Sequence, residues 1–137
     1  MNHDVNVKNQ KWWGWGEEGT SYSIENKPKF PPFAKEKLGV DILAAQVVKP
    51  RFEDLDVPAS QLSDDLRAAL VEAIGEKYVI TDDECRVVHC YGRGVRDLVR
   101  LRRGQLGRIP DVVLYPSSEE EIIAIADAVI AADGILI

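Results

Sequence analysis

Apolar residues recur along the chain in blocks of different period, and the blocks divide it into four stretches. In the first, residues 1–29, the apolar weight is almost all in Trp12, Trp13 and Trp15 of the run Lys11-Trp-Trp-Gly-Trp-Gly16. Glycines this dense fit neither a helical nor a strand period, so the run predicts a loop or arm whose indoles dock on another surface. Pro31 and Pro32 then predict the opening of a short helix through Lys37, with Gly39 at the position after its end. Residues 41–58 have mixed polarity and two prolines, Pro50 and Pro58, and read as an extended connection.

From Ser63 the period becomes helical. Leu66, Leu70, Val71 and Ile74 share one face, Ser63 is the expected cap, Asp64 and Asp65 occupy the first turn, and Gly75 ends the run. Tyr78-Val-Ile80 is too short to assign by itself. Thr81 and Glu84 are spaced as a capping box for a short helix toward His89. Val95–Arg103 predicts another short helix, basic, with Leu98, Val99 and Leu101 as its apolar face. The last stretch is the most regular. Asp111-Val-Val-Leu-Tyr115, between Pro110 and Pro116, reads as a buried strand. Ser117 or Ser118 caps a helix that opens on three glutamates and buries Ile122, Ile125, Ala126, Val129 and Ile130. Gly134 ends that helix, and Ile135-Leu-Ile137 reads as the start of a second strand, the front of a strand–helix–strand unit. A two-stranded unit of this kind leaves its edge and faces uncovered, so position 137 reads as a truncation point.

Composition narrows the function classes. At 137 residues, 45% hydrophobic and 29% charged, the chain has the profile of one globular unit. A net charge of -6 disfavours nucleic acid, whose binding depends on basic residues displacing counterions. The basic residues are nevertheless concentrated: Arg93, Arg96, Arg100, Arg102, Arg103 and Arg108 lie in one short stretch. Met1–Gln10 has no apolar signal-peptide core, and no run is long enough to span a bilayer, so a cytoplasmic location is expected. Cys85 and Cys90, with His89 between them, lack metal-ligand spacing and read as two reduced thiols.

The residues from 107 onward carry a resemblance. Gly107-Arg-Ile-Pro-Asp-Val-Val-Leu-Tyr-Pro-Ser-Ser-Glu-Glu-Glu-Ile122 resembles the opening of the FAD-binding domain of the FAD-linked oxidase family, the type shared with vanillyl-alcohol oxidase. Within that family, Lys11-Trp-Trp-Gly-Trp-Gly16 and the basic block from Arg93 to Pro110 resemble the alkylglycerone-phosphate (alkyldihydroxyacetonephosphate) synthases. The resemblance implies an α+β chain: an arm over 1–29, a mostly helical region over 30–107, and the incomplete start of an FAD-binding domain over 108–137. It implies an FAD-dependent parent enzyme that exchanges an acyl group for a fatty alcohol on glycerone phosphate. The alternatives are an FAD-linked oxidase or dehydrogenase of a 2-hydroxy acid, and a non-catalytic interaction module. A homodimer and a peripheral membrane contact are compatible with it.

In this family a glycine-rich loop after the strand that begins here at Ile135 cradles the FAD pyrophosphate, a task suited to closely approaching backbone N–H groups. The sequence contains no such loop. Gly92-Arg-Gly94 lacks a preceding strong strand and a third glycine, and reads as a turn between helices. Tyr115, Pro116 and Ile137 are implied to border the flavin site, and no catalytic residue is carried over. His89 is a candidate general base by residue type, but no nucleophile or carboxylate stands at a diagnostic spacing, so a packed or surface histidine is the expectation. The tryptophans suit a lipid or partner surface, and the favoured reading docks them on the body of the parent enzyme. The arginines suit a phosphate or acidic lipid, against the favoured reading of a solvated helix face.

Overall fold

The computed structural model describes residues 9–21, 23–44 and 50–137. Part of the expected arm (1–8 and 22) and of the expected connection (45–49) lies outside the described residues. The described chain is α+β, with five α-helices and one small sheet. Helix α1 spans Phe30–Leu38, with proline in its first turn and Gly39 in the left-handed conformation (φ 68) accepting the chain out of it. A non-glycine residue there would bring its Cβ against the preceding carbonyl.

Helix α2 (Asp64–Ile74) starts where expected. The Ser63 hydroxyl accepts a hydrogen bond from the Leu66 N–H, and two aspartates face the positive end of the helix. Strand β1 (Val79–Ile80) follows and leads into helix α3 (Asp83–Val88). The cap of α3 is Asp82, which accepts from the Cys85 N–H at 3.1 Å, so the expectation at Thr81 is displaced by one residue. A carboxylate satisfies the donor and also complements the helix dipole, which a hydroxyl does only weakly. Helix α4 (Val95–Arg102) begins after the Gly92–Gly94 turn, where Asp97 reaches back to accept from the Gly94 N–H at 3.1 Å. Strand β2 (Val113–Leu114) and helix α5 (Glu119–Ala131) complete the order, with Ser118 as the cap of α5.

The tertiary structure adds two details to the strand–helix–strand expectation. First, β2 pairs antiparallel with β1, Val79 opposite Leu114 and Ile80 opposite Val113, and Tyr115 extends the pairing by donating its N–H to the Tyr78 carbonyl at 3.2 Å. Tyr78-Val-Ile80, too short to assign from local pattern, becomes a strand because β2 supplies its hydrogen-bond partners. Because β2 is paired on one side only among the described residues, its side chains are half-buried. Second, Ile135–Ile137 is not a strand, since it has no ladder to join, and its side chains are exposed.

Two apolar clusters hold the fold. One joins Leu70 and Ile74 of α2, Val79 of β1, and Ile125 and Val129 of α5, with Leu66, Val71, Val112 and Leu114 packed around them. Ile122 and Ile130, expected to be buried, are 52% and 75% exposed, because α2 covers only the face of α5 that carries Ile125 and Val129. The other joins Trp12, Val87 and Val88 of α3, Leu98 and Leu101 of α4, and Ile109. Val99 of α4 is exposed, one position off that face. Trp12 is 5% exposed and meets Phe52 edge-on, ring centroids 5.5 Å apart. Phe52 lies in a short 3-10 turn, Phe52–Asp54, within the stretch read as wholly extended.

Candidate functional site

The short helix α3 and the end of β2 bring together three side chains that local pattern leaves apart. Cys85 and His89 are four residues apart on α3 and its C-cap, so helical geometry puts them on one side. Tyr115 arrives from β2, thirty residues on, because the β1–β2 pairing places the strand end beside α3. Its hydroxyl lies 3.1 Å from His89 Nε2 and 3.7 Å from Cys85 Sγ, and the two rings stand edge to face at 5.7 Å. His89 Nδ1 lies 2.8 Å from the Cys85 carbonyl, which can only accept. That contact assigns the proton to Nδ1 and leaves Nε2 to accept from the Tyr115 O–H.

The thiol can in turn donate to the tyrosine oxygen, giving a chain from Cys85 through Tyr115 to His89. Burial raises the Cys85 thiol above its ordinary range, and burial with the adjacent thiol raises the Tyr115 phenol. Both therefore remain protonated at neutral pH. A buried thiol kept neutral is a poor nucleophile, and among the described residues no carboxylate orients the imidazole. The cluster accordingly works as a latch between β2 and α3, with His89 exposed at its outer end. Cys90 is likewise held protonated: burial pushes its thiol up to about 11, and it donates to the Val87 carbonyl at 2.9 Å. Both cysteines are free.

A buried arginine is the group sequence reasoning missed. Arg86, 1% exposed, donates from Nε to the Pro110 carbonyl at 2.8 Å, from Nη2 to the Pro58 carbonyl at 2.9 Å, and from Nη1 to Asp83 at 2.7 Å. One guanidinium thus ties the end of the connection and the approach to β2 onto α3. Asp111 reinforces this, accepting from Gln61 N–H at 2.8 Å with its side chain and from the Ser60 hydroxyl at 2.8 Å with its carbonyl. The available signal was two prolines flanking irregular segments, whose carbonyls have no strand partner and need a donor.

The indoles divide their roles. Trp12 is core, and the Trp13 carbonyl accepts from Arg102 Nε at 2.9 Å while the guanidinium lies 5.3 Å from the Trp13 ring centroid. Trp15 is 57% exposed and donates its indole N–H to the Arg93 carbonyl at 3.0 Å. The run from Lys11 therefore docks on α3 and α4 of this same chain, where the sequence expectation had placed it on the rest of a larger enzyme. Of the three residues expected at a flavin edge, Tyr115 turns its hydroxyl inward to His89, Pro116 is exposed, and Ile137 is fully exposed. FAD would need donors able to approach its pyrophosphate. Gly92 has open space around it, Gly94 is closed by the Asp97 carboxylate, and the arginines nearby are on a convex helix, so these residues do not by themselves fit that group. Among the described residues no group of three or more His, Cys, Asp or Glu side chains is placed to hold a metal ion, and no helix is long and apolar enough to cross a membrane.

No family model matches the chain. It is 30% identical to an alkyldihydroxyacetonephosphate synthase of Caenorhabditis elegans over 93% of this chain and 24% of the relative. It is 23% identical to the alkyldihydroxyacetonephosphate synthase of Trypanosoma brucei brucei over 85% of this chain and 22% of that one. Two solved structures of an alkyldihydroxyacetonephosphate synthase superpose with TM-scores of 0.78 and 0.76 at 20% identity, covering 94% and 91% of this chain and 27% of theirs, which establishes the shared fold. The chain is therefore related to the alkyldihydroxyacetonephosphate synthases, and it spans about a quarter of their length.

Proposed function

We propose that this chain is the N-terminal part of an FAD-dependent alkyldihydroxyacetonephosphate synthase, an enzyme that exchanges the acyl group of acylated glycerone phosphate for a fatty alcohol and so makes ether-lipid precursors. The observation that supports the reading is the extent of the match, since both the sequence and structural likenesses run through more than nine-tenths of the chain. A likeness confined to β2 and α5 would fit any flavin enzyme with this domain. The extension through Trp12, α3 and α4 favours a synthase over the alternative FAD-linked oxidase or dehydrogenase of a 2-hydroxy acid.

In this reading the residues present here position and do not catalyse. When bound in the complete protein, FAD would supply the electrophilic ring that holds the substrate during exchange. Tyr115, Pro116 and Ile137 are assigned to the border of its site, with Arg86 and the Cys85–Tyr115–His89 latch fixing β2 against α3 behind them. The test is to express the longest open reading frame containing this chain and assay it beside the 137-residue chain. The long protein is expected to purify yellow and to incorporate a labelled long-chain alcohol into glycerone phosphate, and the short chain to be colourless and inactive. A yellow long protein that oxidised 2-hydroxy acids and left the alcohol unincorporated would replace this reading with the oxidase. A short chain that retained stoichiometric flavin would refute the assignment of the cofactor to residues outside it.

A further inference from the structure

Arg93, in the turn Gly92-Arg-Gly94 between α3 and α4, is held in the left-handed backbone region at φ 56. Among the described residues the only other non-glycine residue with a positive φ is Asp133, just past α5, where an aspartate tolerates that conformation. Neither glycine beside Arg93 takes a positive φ. A glycine at 93 would remove the crowding of Cβ against the backbone, so the arginine side chain is useful only if it returns more than this strain costs.

That return is not found in the contacts of the turn. Trp15 donates its indole N–H to the Arg93 carbonyl at 3.0 Å, a bond that any residue at 93 could accept. The Arg93 Nη2 is buried and has no hydrogen-bond partner, the one such side-chain nitrogen or oxygen among the described residues. No salt bridge joins Arg93 to a carboxylate among the described residues, whereas Arg51, Arg67 and Arg86 each have one. Asp97, the acidic residue nearest in sequence, accepts from the Gly94 N–H at 3.1 Å instead. A guanidinium nitrogen that is buried and unpaired forfeits its hydration, so this arrangement calls for an acceptor that arrives from outside these residues.

We propose that Arg93 binds the phosphate group of the substrate in the complete enzyme. The identity of that substrate, a glycerone phosphate, rests on the synthase reading above. Placement supports the role. Arg93 follows His89 by four residues, so their Cα atoms are at most about 14 Å apart. His89 Nε2 in turn lies 3.1 Å from the hydroxyl of Tyr115, at the strand end assigned to the border of the flavin site. An arginine this close to that border can meet the phosphate of a substrate held there. A guanidinium matches phosphate oxygens in fork geometry, and an anionic acceptor offsets the burial of its charge better than a neutral carbonyl. The pyrophosphate of the flavin is not the ligand, because the residues around Gly92 do not form the cradle it requires. A carboxylate from elsewhere in the parent protein is the competing acceptor, and the test separates it from phosphate.

The experiment uses the protein expressed from the longest open reading frame and compares the parent with Arg93→Met, which keeps the apolar stem and removes the guanidinium, and with Arg93→Lys. Glycerone phosphate and inorganic phosphate are expected to raise the melting temperature of the parent and of Arg96→Met, an exposed neighbour, but not of Arg93→Met. In the alcohol exchange, Arg93→Met should raise KM for the acylated glycerone phosphate roughly thirtyfold while kcat changes less than about twofold. Arg93→Lys should raise it only about fivefold, since lysine supplies the charge without the fork. Without ligand, Arg93→Met should melt no lower than the parent, because it removes an unpaired donor. A lower melting temperature in Arg93→Met, with KM and the phosphate-induced shift unchanged, would assign Nη2 to a protein carboxylate and overturn the proposal. A protein that incorporates no alcohol, yet loses its phosphate-induced shift in Arg93→Met, would retain the phosphate site and reject the synthase reading.

Discussion

Arg86 is the residue on which most separate pieces of the chain converge. A buried charge is costly unless every donor finds an acceptor, and here three segments supply them. Arg86→Ala would remove the donor shared by the Pro58 and Pro110 carbonyls and the packing of a buried side chain, and is expected to reduce the unfolding free energy by about 2–3 kcal/mol. Arg86→Lys keeps the charge but cannot span both carbonyls, and should recover only part of that. Urea titration of the two variants measures both, and an Arg86→Ala loss no larger than that of an exposed arginine would refute the clamp. Cys90 sets a dependence on alkaline pH. Its folded value, about 11, lies above the ordinary 9.0, so the folded chain keeps a proton that the unfolded chain releases. The stability this confers is complete below pH 9 and is lost as pH rises toward 11. Denaturation midpoints followed through this window should fall less steeply in Cys90→Ala than in the parent. A parallel decline in both would remove Cys90 as the cause.

At the scale of elements, caps and helical periods were readable because they are set within a few residues. Ser63, Ser118, Gly39 and the paired prolines of α1 each act on backbone groups next to them in sequence, and all stand where local chemistry puts them. Ser118 accepts from the Glu121 N–H at 3.2 Å, and Ser118→Ala should cost about 1 kcal/mol, read as a lower melting temperature with an unchanged fold. If the neighbouring Ser117 could take over the cap, the substitution would be silent; its hydroxyl is instead engaged with the Glu121 carboxylate. Burial was less readable than period. The face of α5 that is covered depends on where α2 lies, so Ile125 and Val129 are core while Ile122 and Ile130, equally apolar, are not. Strands were the least readable, since a strand exists only when a partner is in register. Val79–Ile80 gained one, and Ile135–Ile137 did not.

Taken whole, the molecule is two small cores bridged by α3 and the β1–β2 pair. One is built around α2 and α5, the other around Trp12, α3 and α4. Its candidate chemistry follows the same division. The latch and the clamp set the angle at which β2 leaves the helical part, which the proposed synthase needs if the chain is to approach its flavin correctly. The arginine-rich outer face of α4 belongs to the other core.

The amino-acid sequence by itself determined the helix positions, the caps of α2 and α5, the concentration of arginines in 93–108 and the likeness to flavin enzymes of this type. All of these depend on residue type and short-range spacing, which the chain carries without folding. Only the tertiary structure decided the rest. It turned Tyr115 onto His89 and Cys85, joined Arg86 to two distant proline carbonyls, and set Trp12 into the core while leaving Trp15 exposed on the Arg93 carbonyl. Those contacts join residues between 24 and 78 positions apart. No local period encodes them, because they form only once chain entropy has been spent bringing the two cores and their connecting strand pair together.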